Sequence, residues 1–386
     1  MCAPFFQKPT VAVVLGLVLC ALCAPAAETD NFYLPLAPEF ADFGDYLENV
    51  HMRALENAVE EVNGRIERAL KIKDPAAQAR QLVQFHTADA ITRAVAAQFG
   101  HAPTETFRIE SVVSGMWAQH TFPNKTLVHF DNSMNVRGHF LFDPSALFTL
   151  FQAGTIKASG VYFGTDKLLH FHQLGYAYYQ RYRGLLKDGA ESAEASRKVI
   201  KHFATDGLWA EANLFGSATT RIYSNADLAA NYAGFKFFLN LTDKVVWRGA
   251  ELEPLVVRSG VFWRVNDQVR PRSGWFSAFI SDHWNEALNP SLYSSTMRPR
   301  IRRILQSRAR RIAEFYTGND HRPLDPAYFD DLAHSLATYD GEPYGHSGQF
   351  EKLMHIGNTC LPALPDGKTP QLEAKVRRIK QPPEQN

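Results

Sequence analysis

Chemistry-bearing residues gather at helical spacing in one stretch, residues 166 to 234. Asp166 and His170 fall four apart, and so do Asp227 and Asn231, so each pair shares one side of a helix. Between them Glu211 sits among Leu208, Trp209, Leu214 and Phe215, where an unpaired carboxylate is costly and a partner is therefore expected. Carboxylates, an imidazole and a carboxamide on converging helices are the makings of an acid/base site or of a metal site in a bundle core. A second constellation, Asp282, His283 and Glu286, puts His-x-x-Glu on one helical turn, able to give two ligands to one ion.

Two chemistries stay open for these residues. In the first, Asp166, His170, Glu211, Asp227 and Asn231 form a catalytic cluster. His170, Glu211, His283 and Glu286 then hold a divalent metal ion that activates water, and Asn231 orients substrate. In the second, the same groups are caps and a buried structural network. Thr165 reads as an N-cap, Asp166 lies in a first helical turn where the helix dipole favours an acid, and Ser224 with Asp227 approaches a capping box.

The elements that must position these groups are mostly helical. Leu47, Val50, Leu55, Val59, Val62, Ile66 and Leu70 recur at helical spacing, and Asp74-Pro75 starts a helix that runs towards Gly100. Residues 104 to 143 alternate, so that ETFRIESVV, KTLVHF and RGHFLF read as short strands. They carry His120, His129, His139 and Asp131, of which His129 is a minor site candidate. Asp143-Pro144 opens another helix. A helix is expected from Ser192 to Phe215 with a break near Gly207, and LEPLVVRSGVFWRV supplies one or two strands. In the helix carrying Asp227, Gly234 allows a neighbouring helix to approach closely. The Asn289-Pro290 pair ends the helix carrying His283 and Glu286.

The order Asp166-Lys167-x-x-His170-Phe171, then Glu211, then Asp227-x-x-x-Asn231-x-x-Gly234 resembles the VanZ-like proteins and related small envelope lipoproteins of the YfiM type. The resemblance covers residues 166 to 234 only, and it implies a bacterial cell-envelope protein without supplying a catalytic mechanism. The chain departs from the membrane-embedded members of that family. Lys167, His170, His172, Gln173, Gln180, Arg181 and Arg183 make these helices too polar for a bilayer span.

The N-terminus agrees with export. After Lys8, the apolar run from residue 11 to 23 and the small residues Ala24-Pro25-Ala26 read as a secretory signal peptide cleaved near Ala26; lipidation at Cys20 is the alternative, with Leu19 a poor fit before it. The expected location is periplasmic or outer-membrane-associated. Past the signal only Cys360 remains, so no internal disulfide forms and stability must come from a core. With 45% hydrophobic and 12% aromatic residues among 386, the chain can build one.

A net charge of +1 gives no global pull towards nucleic acid. The arginines are instead concentrated in RPRIRRILQSRARRIAEFY, residues 298 to 316. There Ile301, Leu305, Ile312 and Phe315 trace an apolar stripe, and Arg300, Arg303, Arg310 and Arg311 offer a surface for an anionic membrane or envelope component; pairing with Glu314 or with Asp330 and Asp331 is the alternative. GxSxG, GxGxxG, HExxH, CxxC and phosphate-loop motifs are all missing, which argues against standard serine hydrolase, zincin and nucleotide-binding chemistry.

The expected architecture is mainly α, an irregular helical bundle with a small β element (α+β as the fallback). Its parts are a signal peptide (1–26), an N-terminal arm and helices (27–100), a central helical domain with small β segments (101–340) and a largely disordered tail (341–386).

Overall fold

The structure is a computed structural model that describes residues 28–30, 32, 41–99, 132–140, 152–208, 210–213, 216–268, 274–318 and 320–364. The fold is mainly α with small β elements. The signal-peptide reading, the strands expected around His120 and His129, the helix opened by Asp143-Pro144 and the extreme C-terminus lie outside the described residues.

In chain order the helices are α1 (Gly44–Leu70), α2 (Pro75–Phe85), α3 (Ala88–Gln98), α4 (Met134–Gly138), α5 (Asp166–Leu169), α6 (Gly175–Lys187), α7 (Ser192–Lys201), α8 (Asn225–Asn240), α9 (Arg298–Gly318) and α10 (Pro326–Ser335). A π-helical turn, His170–Leu174, joins α5 to α6, and a second, His202–Asp206, ends α7. The strands are short: β1 (Glu28–Thr29), β2 (Gln152–Ala153), β3 (Thr155–Ala158), β4 (Val161–Gly164), β5 (Ile222–Tyr223), β6 (Val245–Trp247), β7 (Ala250–Leu252), β8 (Val256–Ser259), β9 (Phe262–Val265), β10 (Leu292–Tyr293), β11 (Thr338–Tyr339) and β12 (Glu342–Pro343), the last two an antiparallel pair. β3–β4, β6–β7 and β8–β9 are antiparallel hairpins, β5 pairs antiparallel with β10, and β1 pairs parallel with β2.

Helix α8 is the axis of the molecule. Only Lys236 and Leu239 escape burial along it, so the helix lies in the middle of the core and its buried polar residues Asn225, Asp227, Asn231 and Asn240 must find partners there. Leu228, Tyr232, Phe235, Phe237 and Phe238 pack there with Phe171, Tyr178, Phe276, Phe279 and Trp284. The crossing of α8 over the π turn and α6 depends on small residues. A Cβ on Gly234 would collide with the Phe171 carbonyl oxygen, and a Cβ on Gly175 would come within 2.6 Å of Gly234 Cα. The close approach expected at Gly234 is present.

Several boundaries differ from the sequence expectation. The helix from Asp74 does not run unbroken to Gly100: Thr87 interrupts it, its hydroxyl accepting from Ala90 N–H, so α3 starts afresh. In α1, Leu47, Leu55, Val62 and Ile66 are buried as expected, but Leu70 is exposed and His51 takes a core position. RGHFLF does not begin as a strand, because Arg137 and Gly138 end α4, capped by Ser133.

The long helix expected from Ser192 stops as an α-helix at Lys201, leaving Glu211 in a turn rather than at a helix end. The C-terminal region also departs from expectation. Residues 341–364, assigned to a disordered tail, are ordered, with Tyr344, Leu353, Met354, Ile356 and Cys360 buried. Ile356 and Cys360 join Ile301, Leu305 and Ile312 of α9 in a second apolar cluster, and that burial supplies what a free tail would lack.

Candidate functional site

Five segments deliver the site. α5 brings Asp166 and Lys167, and the π turn brings His170; a π bulge inserts one residue into the helical ladder and re-aims the side chains around it. The turn after α7 brings Glu211, the first two turns of α8 bring Ser224, Asp227 and Asn231, and the loop after a short 3₁₀ turn at Asp282–Trp284 brings Glu286. All of these side chains are buried.

Lys167 is at the centre. Its Nζ donates to Asp166 Oδ2 at 2.9 Å and to Glu286 Oε1 at 2.6 Å, and forms a third ion pair with Asp227 Oδ1. The lysine is fully buried, and such an ammonium is tolerable only because three carboxyl groups surround it. Although burial alone would pull its pKa down, Asp166, Asp227 and Glu286 hold it well above the ordinary lysine range.

His170 lies beside this ion cluster with both ring nitrogens engaged. Nε2 is 3.3 Å from Asp227 Oδ2. Asn231, oriented so that its amide is satisfied, donates to His170 Nδ1 at 2.9 Å and also reaches the carbonyl oxygens of His170 (3.2 Å) and Asp227 (3.3 Å). Nδ1 therefore accepts, and Nε2–H points at Asp227.

Ser224 ties the remaining acids together. Its Oγ accepts from Asp227 N–H at 3.1 Å, capping α8, and donates to Glu286 Oε1 at 3.3 Å, while its N–H donates to Glu211 Oε1 at 2.7 Å. The capping box expected here is thus only half made. Asp227 does not return a bond to the Ser224 backbone, and its carboxylate is left for Lys167 and His170. Thr165 makes no side-chain cap at all; Asp166 Oδ1 accepts from Lys167 N–H at 2.9 Å instead.

With four carboxyl groups against one lysine, the cluster cannot hold every acid ionised at low dielectric. Burial, followed by the charge of Asp227, raises the Glu211 carboxyl well above its usual range. Burial pushes Glu286 up to about 8 despite the pull of Lys167, and burial also raises Asp166. Asp227 moves the other way: burial opposes ionisation, but His170 and Lys167 outweigh it. Asp227 is therefore the most readily ionised carboxyl of the group, and Glu211 and Glu286 are the two that burial most strongly holds against ionisation.

Asp166, His170, Glu211, Asp227 and Asn231, all candidates from sequence, meet in this one cluster, and Glu286 joins them. His283 does not. The helix expected to carry both residues is only a 3₁₀ turn, so His283 and Glu286 diverge. His283 stacks on Tyr339 at 3.8 Å and donates from Nε2 to Thr338 O at 2.8 Å, while Asp282 pairs with Arg322 at 2.9 Å. The metal set His170, Glu211, His283, Glu286 is therefore not assembled. Among the described residues one group could hold a metal ion: Asp166, His170 and Asp227 each offer a ligand atom within 4.8 Å of the others.

Lys167 and Ser224 are the members that sequence reasoning passed over as site residues. Lys167 is adjacent to Asp166, about 100° away on an ideal helix, so spacing gave no reason to turn both inward. The one available signal was a lysine in a helical start otherwise flanked by Leu168, Leu169 and Phe171.

The α9 arginines divide by face. Arg308 turns in to Asp30 at 3.2 Å, whereas Arg303, Arg310 and Arg311 are exposed and among the described residues pair with no acid. The pairing considered with Asp330 is not made; that carboxylate lies 3.5 Å from His355 Nε2. Arg300 sits over the exposed ring of Phe140 at 4.9 Å. Among the described residues no helix is long and apolar enough to cross a membrane. No family model matches the chain, and neither a curated protein nor a solved structure matches it.

Proposed function

We propose that this chain is an exported bacterial cell-envelope protein that acts by binding rather than by catalysis, its buried cluster serving as a clasp that fixes the helix crossing. The observation that carries this reading is Lys167. Its ammonium fills the place a catalytic cation would need, in contact with Asp166, Asp227 and Glu286. His170, the natural general base, has Nε2 on Asp227 and Nδ1 on Asn231, so neither nitrogen is free for a substrate proton. The signal-like N-terminus and the VanZ-like order of motif residues favour the envelope, and the exposed Arg303, Arg310 and Arg311 of α9, with Arg300 over the exposed Phe140, favour an anionic membrane surface as partner.

A metal-assisted hydrolase is the second reading, favoured by the convergence of Asp166, His170 and Asp227 within 4.8 Å. An ion there would activate water, and Glu286 could pass the proton. The residues fit a small divalent cation only if Lys167 withdraws from the two aspartates.

Elemental analysis of the purified protein after incubation with zinc or manganese and gel filtration separates the readings, with a folded His170→Ala/Asp227→Asn variant alongside. The clasp predicts no stoichiometric metal in either protein and a large drop in unfolding midpoint for the variant. Near-stoichiometric metal in the wild type, lost in the variant, overturns it in favour of the hydrolase.

A further inference from the structure

A cleft of about 540 Å³ opens between α7, the β5–β10 pair and residues 343–349. Its volume is that of a small-molecule site. Ile200, Ala204, Leu292 and Pro343 give it an apolar wall, and the charged side chains that line it are both basic, Arg197 and Lys201; no carboxylate lines it among the described residues. Lys201 is partly committed, 3.1 Å from Asp206, whereas Arg197 is exposed and makes no ion pair among the described residues, its nearest acidic influence being Glu194, which pairs with Lys198 at 2.7 Å.

The far wall is held in place and carries an unused donor. Tyr223 donates to Gly345 O at 2.6 Å, and Ser347 N–H donates to Asn225 Oδ1 at 2.9 Å, which fastens residues 345–347 to the start of α8. His346 Nδ1 accepts from Gly348 N–H at 3.0 Å, so its proton is on Nε2. That Nε2–H and the Ser347 hydroxyl are both buried without a hydrogen-bond partner, an arrangement that costs stability unless something else accepts from them.

We infer that the cleft binds an amphiphilic anion, an apolar chain bearing a carboxylate or phosphate head, with the chain along Ile200, Ala204 and Leu292 and the head taken by the exposed Arg197 and Lys201. A lining whose charged side chains are both basic selects an anion, and the apolar wall selects one that carries a chain. Burial holds the His346 imidazole neutral, its pKa pulled down to about 4, so it adds no charge to the cleft wall. The inference is independent of whether the lysine-centred cluster is a clasp or a metal site.

The test is calorimetric titration of the full chain with laurate and with dodecyl phosphate, each below its micelle-forming concentration, against dodecanol and inorganic phosphate as half-ligands. One-to-one binding of at least one anion is expected, stronger than either half-ligand. Arg197→Ala should weaken it about tenfold or more while leaving dodecanol unaffected. Ala337→Trp, which fills the cleft from its edge, should abolish both. Preference for laurate or for dodecyl phosphate identifies the head group. Failure of both anions to saturate, or binding indifferent to Arg197→Ala in a protein with an unchanged unfolding midpoint, overturns the inference.

Discussion

Lys167 Nζ and Glu286 Oε1 lie 2.6 Å apart although 119 residues separate them in the chain. That contact, closed over by Ser224 Oγ, is where the loop following Asp282–Trp284 is fastened to the start of α5. A buried ion cluster of this kind specifies geometry more than it adds stability, and removing its cation leaves carboxylates stranded at low dielectric.

Lys167→Met keeps the stem and removes the charge, and should lower the unfolding free energy by about 3 kcal/mol or more at neutral pH. The loss should shrink in acid, where the stranded carboxyls can be protonated. Combined with Glu286→Gln and Asp227→Asn, it should cost less than the sum of the single changes. Chemical denaturation at two pH values checks all three statements; additivity would mean that the residues do not act as one unit.

Glu286 sets an alkaline limb. Its folded pKa, about 8, is above the ordinary 4.5, so the folded protein keeps a proton the unfolded chain has released. Its stabilising contribution is complete below about 4.5 and is lost as pH rises towards 8, at up to about 1.4 kcal/mol per pH unit. Glu286→Gln should flatten this limb. Urea midpoints of both proteins between those two pH values give the comparison.

An opposite, acidic limb should come from a second buried pair. His51 and His172 face each other Nε2 to Nε2 at 2.7 Å, with the rings of Phe99 and Phe276 stacked on them. Burial pulls His51 down to about 3, and burial together with the charge of His51 pulls His172 well below its normal range. Histidines with depressed pKa stabilise the fold above about 6.5 and withdraw that stability as pH falls. By pH 4.5 the loss from His51 alone should reach about 2–3 kcal/mol. A His51→Leu/His172→Leu variant, in which both polar partners go together, should fold and lose this acid sensitivity; an unchanged acid limb would place its origin elsewhere.

Gly234→Ala should cost about 3 kcal/mol, because the new methyl meets the Phe171 backbone carbonyl, which has no side-chain freedom to yield. Gly184→Ala is the matched control. It lies inside α6 with nothing within 4 Å of the added carbon, and should stabilise by about 0.5–1 kcal/mol. The two thermal midpoints should move in opposite directions.

The α9 arginines should carry membrane association. From Arg300 to Arg311 they span about 17 Å of helix surface. Replacing Arg303, Arg310 and Arg311 with glutamate should abolish sedimentation with phosphatidylglycerol-containing vesicles and leave the fold intact, since these side chains are exposed. Binding to pure phosphatidylcholine vesicles should be weak from the start, and salt should suppress the anionic binding. Undiminished sedimentation of the triple variant would remove α9 as the contact.

What the sequence determined on its own follows from local physics. Apolar period placed α1 and α9, because apolar residues at helical spacing must turn one way whatever lies opposite, and the Ser224 cap placed the start of α8. The same spacing put Asp227 and Asn231 on one face, and cost arguments demanded a partner for Glu211, which Ser224 N–H supplies. Tertiary structure decided the rest. Which cation would neutralise the acids was not legible, since Lys167 meets Asp227 and Glu286 only when α5, α8 and a distant loop are stacked. Nor was the separation of His283 from Glu286, because a backbone tightening from α to 3₁₀ rotates side chains that an ideal helix would keep together. Spacing constrains residues within one element, whereas the protonation of a buried group depends on every charge packed against it, and those arrive from elements far apart in the chain.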